Sequence, residues 1–128
     1  MTVRVEVLVP DRELWSGTAE SLIAKTTDGD IGVLAGHSPM FGILSEGSLV
    51  RIVEPETGGD EVRAAVTSGF LSVTAERVSI LAAGAVLGDE VDRTRARQDA
   101  ETATAEAGPD SPEARYAKAQ LRAAGEQA

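Results

Sequence analysis

Apolar and polar residues alternate from the start of the chain. Val3, Val5, Val7 and Val9 share one parity, and Arg4, Glu6 and Leu8 share the other. β-Branched residues at every second position predict a half-buried strand, and Pro10-Asp11 supplies a turn after it. Leu14 to Thr27 predicts two strands or one long bent strand, with Gly17 between the patches Leu14-Trp15 and Leu22-Ile23. Ser48 to Val53 reads as a further strand. The run EPETGGD at 54–60 is a turn by composition, and Glu61 to Thr67 pairs back as a hairpin. Phe70 to Val73 resumes after Ser68-Gly69, and Arg77 to Ala82 follows a turn at Ala75-Glu76. About eight short strands at spacings of roughly ten residues predict a sandwich or a barrel.

Between these strands, Asp28 to Leu44 reads DGDIGVLAGHSPMFGIL and is predicted as a shaped loop, with Ile31 to Leu34 a short apolar insert. Gly29, Gly32 and Gly36 permit backbone that other residues avoid, and Pro39 pushes Ser38 away from helix. Loops of this kind on a rigid scaffold are where function concentrates.

From Gly88 the pattern changes. β-Branched residues nearly vanish and alanine dominates. Asp89 is the expected N-cap, with Glu90 and Asp92 in the first turn, and helix is predicted to run to Ala107, about nineteen residues or roughly 28 Å. Gly108-Pro109-Asp110 breaks it. Ser111-Pro112-Glu113 restarts it with a cap and a proline at the first helical position, and Gly125 stops it after Ala124. Ala96, Ala100, Ala103 and Ala107 form one stripe, and Ala114, Ala117, Leu121 and Ala124 another. A buried alanine methyl contributes only about 0.8 kcal/mol, against about 1–2 kcal/mol of backbone entropy per ordered residue. Such a hairpin should form readily and detach easily; the plainer alternative is a solvated helical tail. The fold class is therefore α+β: an N-terminal β-sandwich over 1–87 followed by an antiparallel two-helix hairpin over 88–128.

Composition narrows the partners. A net charge of −9 and a pI near 4.5 disfavour nucleic acid and anionic lipid, both of which need a basic face. With no cysteine, disulfides and thiolate metal sites are ruled out. The polar N-terminus and the lack of a long apolar run lead to the expectation of a soluble intracellular protein.

The loop carries no recognisable catalytic constellation. Gly36-His37-Ser38-Pro39-Met40 has a partial likeness to the nucleophile elbow G-x-S-x-G, but the last glycine is missing and Pro39 has no N–H to offer an oxyanion. One histidine and no cysteine leave only an all-carboxylate metal site, which no acidic spacing supports. The glycines match neither a dinucleotide fingerprint nor a P-loop. Asp28 and Asp30 read as loop acids, His37 as a structural hydrogen-bonder, and Trp15 and Phe70 as core or hairpin-packing residues. No reaction emerges, so binding or coupling is the better reading. A free-standing adaptor whose hairpin docks partners remains the rival to it, and a small enzyme is disfavoured.

The phrase GDIGVLAGHSP from Gly29 to Pro39 resembles G-E-x-G-x-x-x-G-H-x-P of the epsilon subunit of the F-type, proton-translocating ATP synthase (delta in mitochondria), with Asp30 for the usual glutamate. Glu46-Gly47-Ser48-Leu49 is similar to that family's P-G-x-L turn. Ser68 to Val73 followed by Val78 to Ala82 resembles its S-G-G-F-x-x-V…V-x-V-L-A run with one glycine lost. The resemblance covers essentially the whole chain. It implies a sandwich of about ten strands, a two-helix C-terminal domain, and a non-catalytic place in the central stalk against the gamma subunit and the c-ring. It also implies a peripheral location on the cytoplasmic face of the plasma membrane, reached only through the complex. Asp30 matches the acid that faces the c-subunit loops, while His37, Ser38, Pro39 and Met40 fall in the neighbouring surface shared with gamma and the ring. The hairpin resembles a regulatory element that folds against the sandwich or extends to block ATP hydrolysis. Arg93, Arg97, Arg115, Lys118 and Arg122 are then candidates for contact with the alpha and beta subunits of the catalytic head, or ordinary solvated helix faces. Val91-Asp92-Arg93-Thr94-Arg95-Ala96 matches the family's nucleotide-binding core [IL]-D-x-x-R-A through Asp92, Arg95 and Ala96. The family's later arginine and upstream acid are Thr102 and Val86 here. Those two departures weaken the match for ATP on the hairpin, and no cofactor is expected.

Overall fold

The computed structural model describes residues 2–34, 36, 38–54 and 61–127. Ten strands precede two helices among the described residues. The strands are β1 (Val3–Val9), β2 (Arg12–Ala19), β3 (Ser21–Thr26), β4 (Gly29–Leu34), β5 (Met40–Leu44), β6 (Ser48–Val53), β7 (Glu61–Val66), β8 (Gly69–Val73), β9 (Arg77–Ala82) and β10 (Ala85–Leu87). Their hydrogen-bonded order is β10-β7-β6-β3-β5-β8-β9-β1-β2, with β4 paired to β3. All neighbours are antiparallel except β1 and β9, which run parallel.

β3 makes two layers out of one path. Its first half pairs with β6 (Leu22 opposite Ile52) and its last residue with β5 (Thr26 opposite Leu44). The path then folds back until β10 lies against β2. Inward-facing Val3, Val5, Val7, Leu22, Val33, Leu44, Val50, Ile52, Leu71, Val73, Val78 and Ile80 fill the space between the layers, so the alternation read at the N-terminus faces this core. The expected sandwich is what forms.

Several expectations need correction. Ile31 to Leu34 is no insert in a loop. It belongs to β4, which pairs along its whole length with β3, Leu22 opposite Val33 and Ala24 opposite Ile31. The alternation was hidden because two of the strand's outward positions are glycine and aspartate. The strand β10 escaped prediction because it has only three residues between Gly84 and Gly88. Trp15 packs against the core as expected, but Phe70 is 45% exposed. The turn expected at 54–60 lies outside the described residues apart from Glu54.

The helices are α1 (Arg93–Ala107) and α2 (Pro112–Ala123). Asp89 is not the cap of α1. Residues Gly88–Glu90 form a single tight turn, Val91 is extended, and Asp92 caps the helix by accepting the Arg95 N–H at 3.0 Å. A β-branched valine resists the turn, which delays the start and leaves α1 with fifteen residues, roughly 22 Å. Ser111 caps α2, accepting the Ala114 N–H at 3.2 Å, with Pro112 at the first helical position. Of the two alanine stripes, Ala96, Ala114, Ala117 and Leu121 are buried, while Ala107 is exposed. α1 has its main partner in α2, and α2 lies on β6 and β7.

Candidate interaction surface

Two surfaces gather the residues singled out by sequence. The first is the outer face of the layer β5-β8-β9-β1. Register places Ile43 opposite Phe70, Phe70 opposite Leu81, and Leu81 opposite Leu8. One apolar row thus crosses four strands. Ile43 is 52%, Phe70 45% and Leu81 43% exposed, and Phe41 beside them is 64% exposed. The rings of Phe41 and Phe70 stack with centroids 5.3 Å apart. A cleft of about 850 Å³ runs along this row, lined also by Val9, Pro10 and Arg115. A contiguous exposed apolar patch of this kind marks a site of association. It arises because β5, β8 and β9 carry large apolar residues on both parities: Ile43 and Leu44, Phe70 and Leu71, Ile80 and Leu81. The doubled parity was the available signal, and it was missed because only register shows that the outward members line up.

Of the expected site residues, Ser38, Pro39 and Met40 lie at the start of β5, one strand of this layer. Ser38 and Pro39 are exposed at the entrance to β5. Gly36, at φ 80°, donates its N–H to the Ala75 carbonyl at 3.3 Å, which ties this loop to the β8–β9 turn. Met40 is half-buried and packs in part on the core. His37 lies outside the described residues. Asp30 stands exposed on β4, opposite Lys25 of β3.

Asp30 also borders the second surface, a groove between the sheet and α2 that holds Lys25, Glu46, Arg51, Asp110, Arg115, Lys118 and Arg122. The groove thus unites Asp30 with three of the hairpin cations. Arg51 is committed elsewhere: its Nη2 and Nε meet both oxygens of Glu61, at 2.5 and 3.1 Å, and Arg63 Nε adds a third contact at 3.1 Å. The Arg51 hydrogen bonds hold the Glu61 carboxyl below its ordinary value and raise the guanidinium in turn. Lys118 Nζ reaches the Pro109 carbonyl at 3.4 Å.

The remaining candidates have structural work in this conformation. Asp92 caps α1, Arg95 sits 4.0 Å from Asp99 one turn on, and Ala96 is buried. Arg93 and Arg97 both reach Glu126 beyond the end of α2. Among the described residues no group of three or more His, Cys, Asp or Glu side chains is placed to hold a metal ion. Among these same described residues no helix is long and apolar enough to cross a membrane.

Comparison with known proteins gives this geometry its context. The family model for the ATP synthase, Delta/Epsilon chain, beta-sandwich domain matches residues 2–88. The ATP synthase epsilon chain of Thermobifida fusca is 48% identical over 124 residues, covering 94% of this chain and 90% of the relative. That of Mycobacterium tuberculosis is 44% identical, covering 96% and 95%. The epsilon chain of Frankia casuarinae is 51% identical over 87 residues, which is 68% of this chain but 99% of the relative. Among solved structures, a chain of the Euglena gracilis mitochondrial ATP synthase superposes with a TM-score of 0.70 at 24% identity, covering 94% of this chain and 75% of that one. On the profile match and these identities, the chain belongs to the ATP synthase delta/epsilon family.

Proposed function

We propose that the chain is a non-catalytic rotor subunit in the central stalk of an F-type ATP synthase, coupling proton flow through the c-ring to ATP synthesis. Its place is peripheral, on the cytoplasmic face of the plasma membrane, held there by its partners. The sandwich, 1–87, is the part that docks. The observation that carries this reading is the apolar row Leu8–Leu81–Phe70–Ile43, a face suited to the gamma subunit. Asp30, exposed on β4 opposite Lys25, is suited to the polar loops of the c-ring, where its charge sets orientation and register more than affinity.

The hairpin, 88–128, is the regulatory part, and its cations Arg115, Lys118 and Arg122 face a groove where acidic surfaces of the catalytic head can compete for them. Nucleotide binding through Asp92, Arg95 and Ala96 has less support, since their side chains cap, pair and pack locally. The length of the Frankia casuarinae relative supports the division, because 87 aligned residues account for 99% of it; a sandwich-sized chain carries the family's name without a second element of this length.

The test is assembly. The double variant Phe70→Asp, Leu81→Asp changes two exposed side chains, so the isolated subunit should keep its circular dichroism while losing co-purification with gamma and the c-ring. Retained co-purification would overturn the docking assignment. A chain ending at Gly88 should assemble normally and raise ATP hydrolysis by the complex; an unchanged rate would remove the regulatory claim and leave the docking claim standing.

A further inference from the structure

The hairpin is closed at its open end by the residues that follow α2. Gly125, at φ 95°, donates its N–H to the Arg122 carbonyl, and Glu126 donates its own to the Leu121 carbonyl at 2.9 Å. This turn carries the Glu126 side chain back over the first turns of α1. There Arg97 Nη2 meets Oε1 at 2.6 Å, and Arg93 Nε lies 3.9 Å from Oε2. Arg93 Nη2 also donates to the Ala124 carbonyl at 2.5 Å, satisfying a helix-end acceptor that α2 leaves without an intrahelical partner. Oε2 of Glu126 is buried and accepts no hydrogen bond among the described residues. One carboxylate is therefore gripped by two guanidinium groups spaced four residues apart on one helix face, Arg97 through a hydrogen bond and Arg93 at ion-pair distance.

These contacts join α2 to α1 and are separate from those that seat α2 on the sheet. The latter involve Ala65, Ala119 and Ala123 with Leu49, Val86 and Tyr116 around them. We propose that Glu126 is a latch against separation of the two helices, distinct from the sheet contacts that hold the hairpin down. Release of the hairpin then has two steps with different chemistry: an apolar one, in which α2 leaves the sheet, and an ionic one, in which α1 and α2 come apart. The inference draws its significance from the regulatory reading above, but the latch itself is a property of the isolated chain and is tested there.

Spin labels at Thr102 and Gln120, which line one cleft between α1 and α2, report the ionic step by pulsed electron paramagnetic resonance on the full chain. Labels at Glu46 and Lys118, which share the groove between sheet and α2, report the apolar step. Glu126→Gln should raise the fraction of long Thr102–Gln120 distances about two- to fivefold, the range of a partly exposed ion pair, and leave the Glu46–Lys118 distribution unchanged. Added salt should raise the same fraction in the parent chain and have little effect in the variant. The charge swap Glu126→Arg, Arg97→Glu should restore the closed pair, which separates a specific pairing from general destabilisation. An unchanged Thr102–Gln120 distribution in Glu126→Gln, or equal opening of both pairs, overturns the proposal. Opened helices with unchanged ATP hydrolysis in the assembled complex would uphold the latch and retire the regulatory reading.

Discussion

The two regions of this chain solve the problem of staying folded with different materials. The sandwich fills its interior with valine, leucine and isoleucine, twelve of which are its largest fully buried side chains, and it ties every strand to a neighbour by backbone hydrogen bonds. The hairpin relies on Ala96, Ala114, Ala117, Ala119, Ala123 and one leucine, Leu121. What alanine lacks in transferred area it returns in proximity. Gly88 lets the backbone come so near that an added Cβ would stand 2.1 Å from the Ala123 carbonyl oxygen, and at Gly47 it would stand 2.6 Å from Arg115 Cβ. The body is thus held by volume and the hairpin by fit. A change at one of these close approaches can therefore loosen the hairpin while leaving the body intact.

The largest effect should come from the core. Leu22→Ala removes a fully buried side chain and should cost about 2–5 kcal/mol, unfolding the sandwich at lower denaturant. Leu121→Ala should cost at the lower end of that range and raise hydrogen exchange only in α1 and α2. Equal loss of protection in β1 to β9 would mean that the two regions unfold as one. Next comes fit. Gly88→Val drives a side chain into the Ala123 carbonyl and should cost about 1–3 kcal/mol, detected as faster exchange in α2 with unchanged strands.

The smallest effects are set by pH, and they fall at opposite ends of the scale. Burial raises the Tyr116 phenol above its ordinary 10.0, so its contribution is intact below pH 10 and is lost as pH climbs through the raised value. The hairpin should loosen first in alkali, and Tyr116→Phe should abolish that response. Glu61 is depressed chiefly by its Arg51 hydrogen bond, so its contribution is intact above the unfolded value of 4.5 and is lost as pH falls through the lower folded one. Acid should therefore loosen the β6–β7 pair, and Glu61→Gln should flatten that limb of a stability titration.

Much of the sandwich was legible because period-two patterning is local. Val3 to Val9 announced β1, and Ser111-Pro112-Glu113 announced the start of α2 within a residue. β4 was misread because glycine and aspartate at its outward positions look like loop chemistry until β3 is placed beside them. The apolar row was invisible for a different reason: its members lie on strands joined by pairings as distant as Leu8 with Leu81, and no window along the chain contains them. The grip of Arg93 and Arg97 on Glu126 spans about thirty residues and depends on the turn at Gly125. Asp30 and Ser38 could be marked by motif alone, whereas the apolar face needed register.

The parallel pairing of β1 with β9 has a consequence for how the protein is made. β1 finds one lateral neighbour early, in β2, but the other only when Arg77–Ala82 has been synthesised. Closure of so non-local a topology carries a loop-entropy barrier and is slow. The sandwich can close only once β9 has been made, and the alanine helices follow every strand of the platform they rest on.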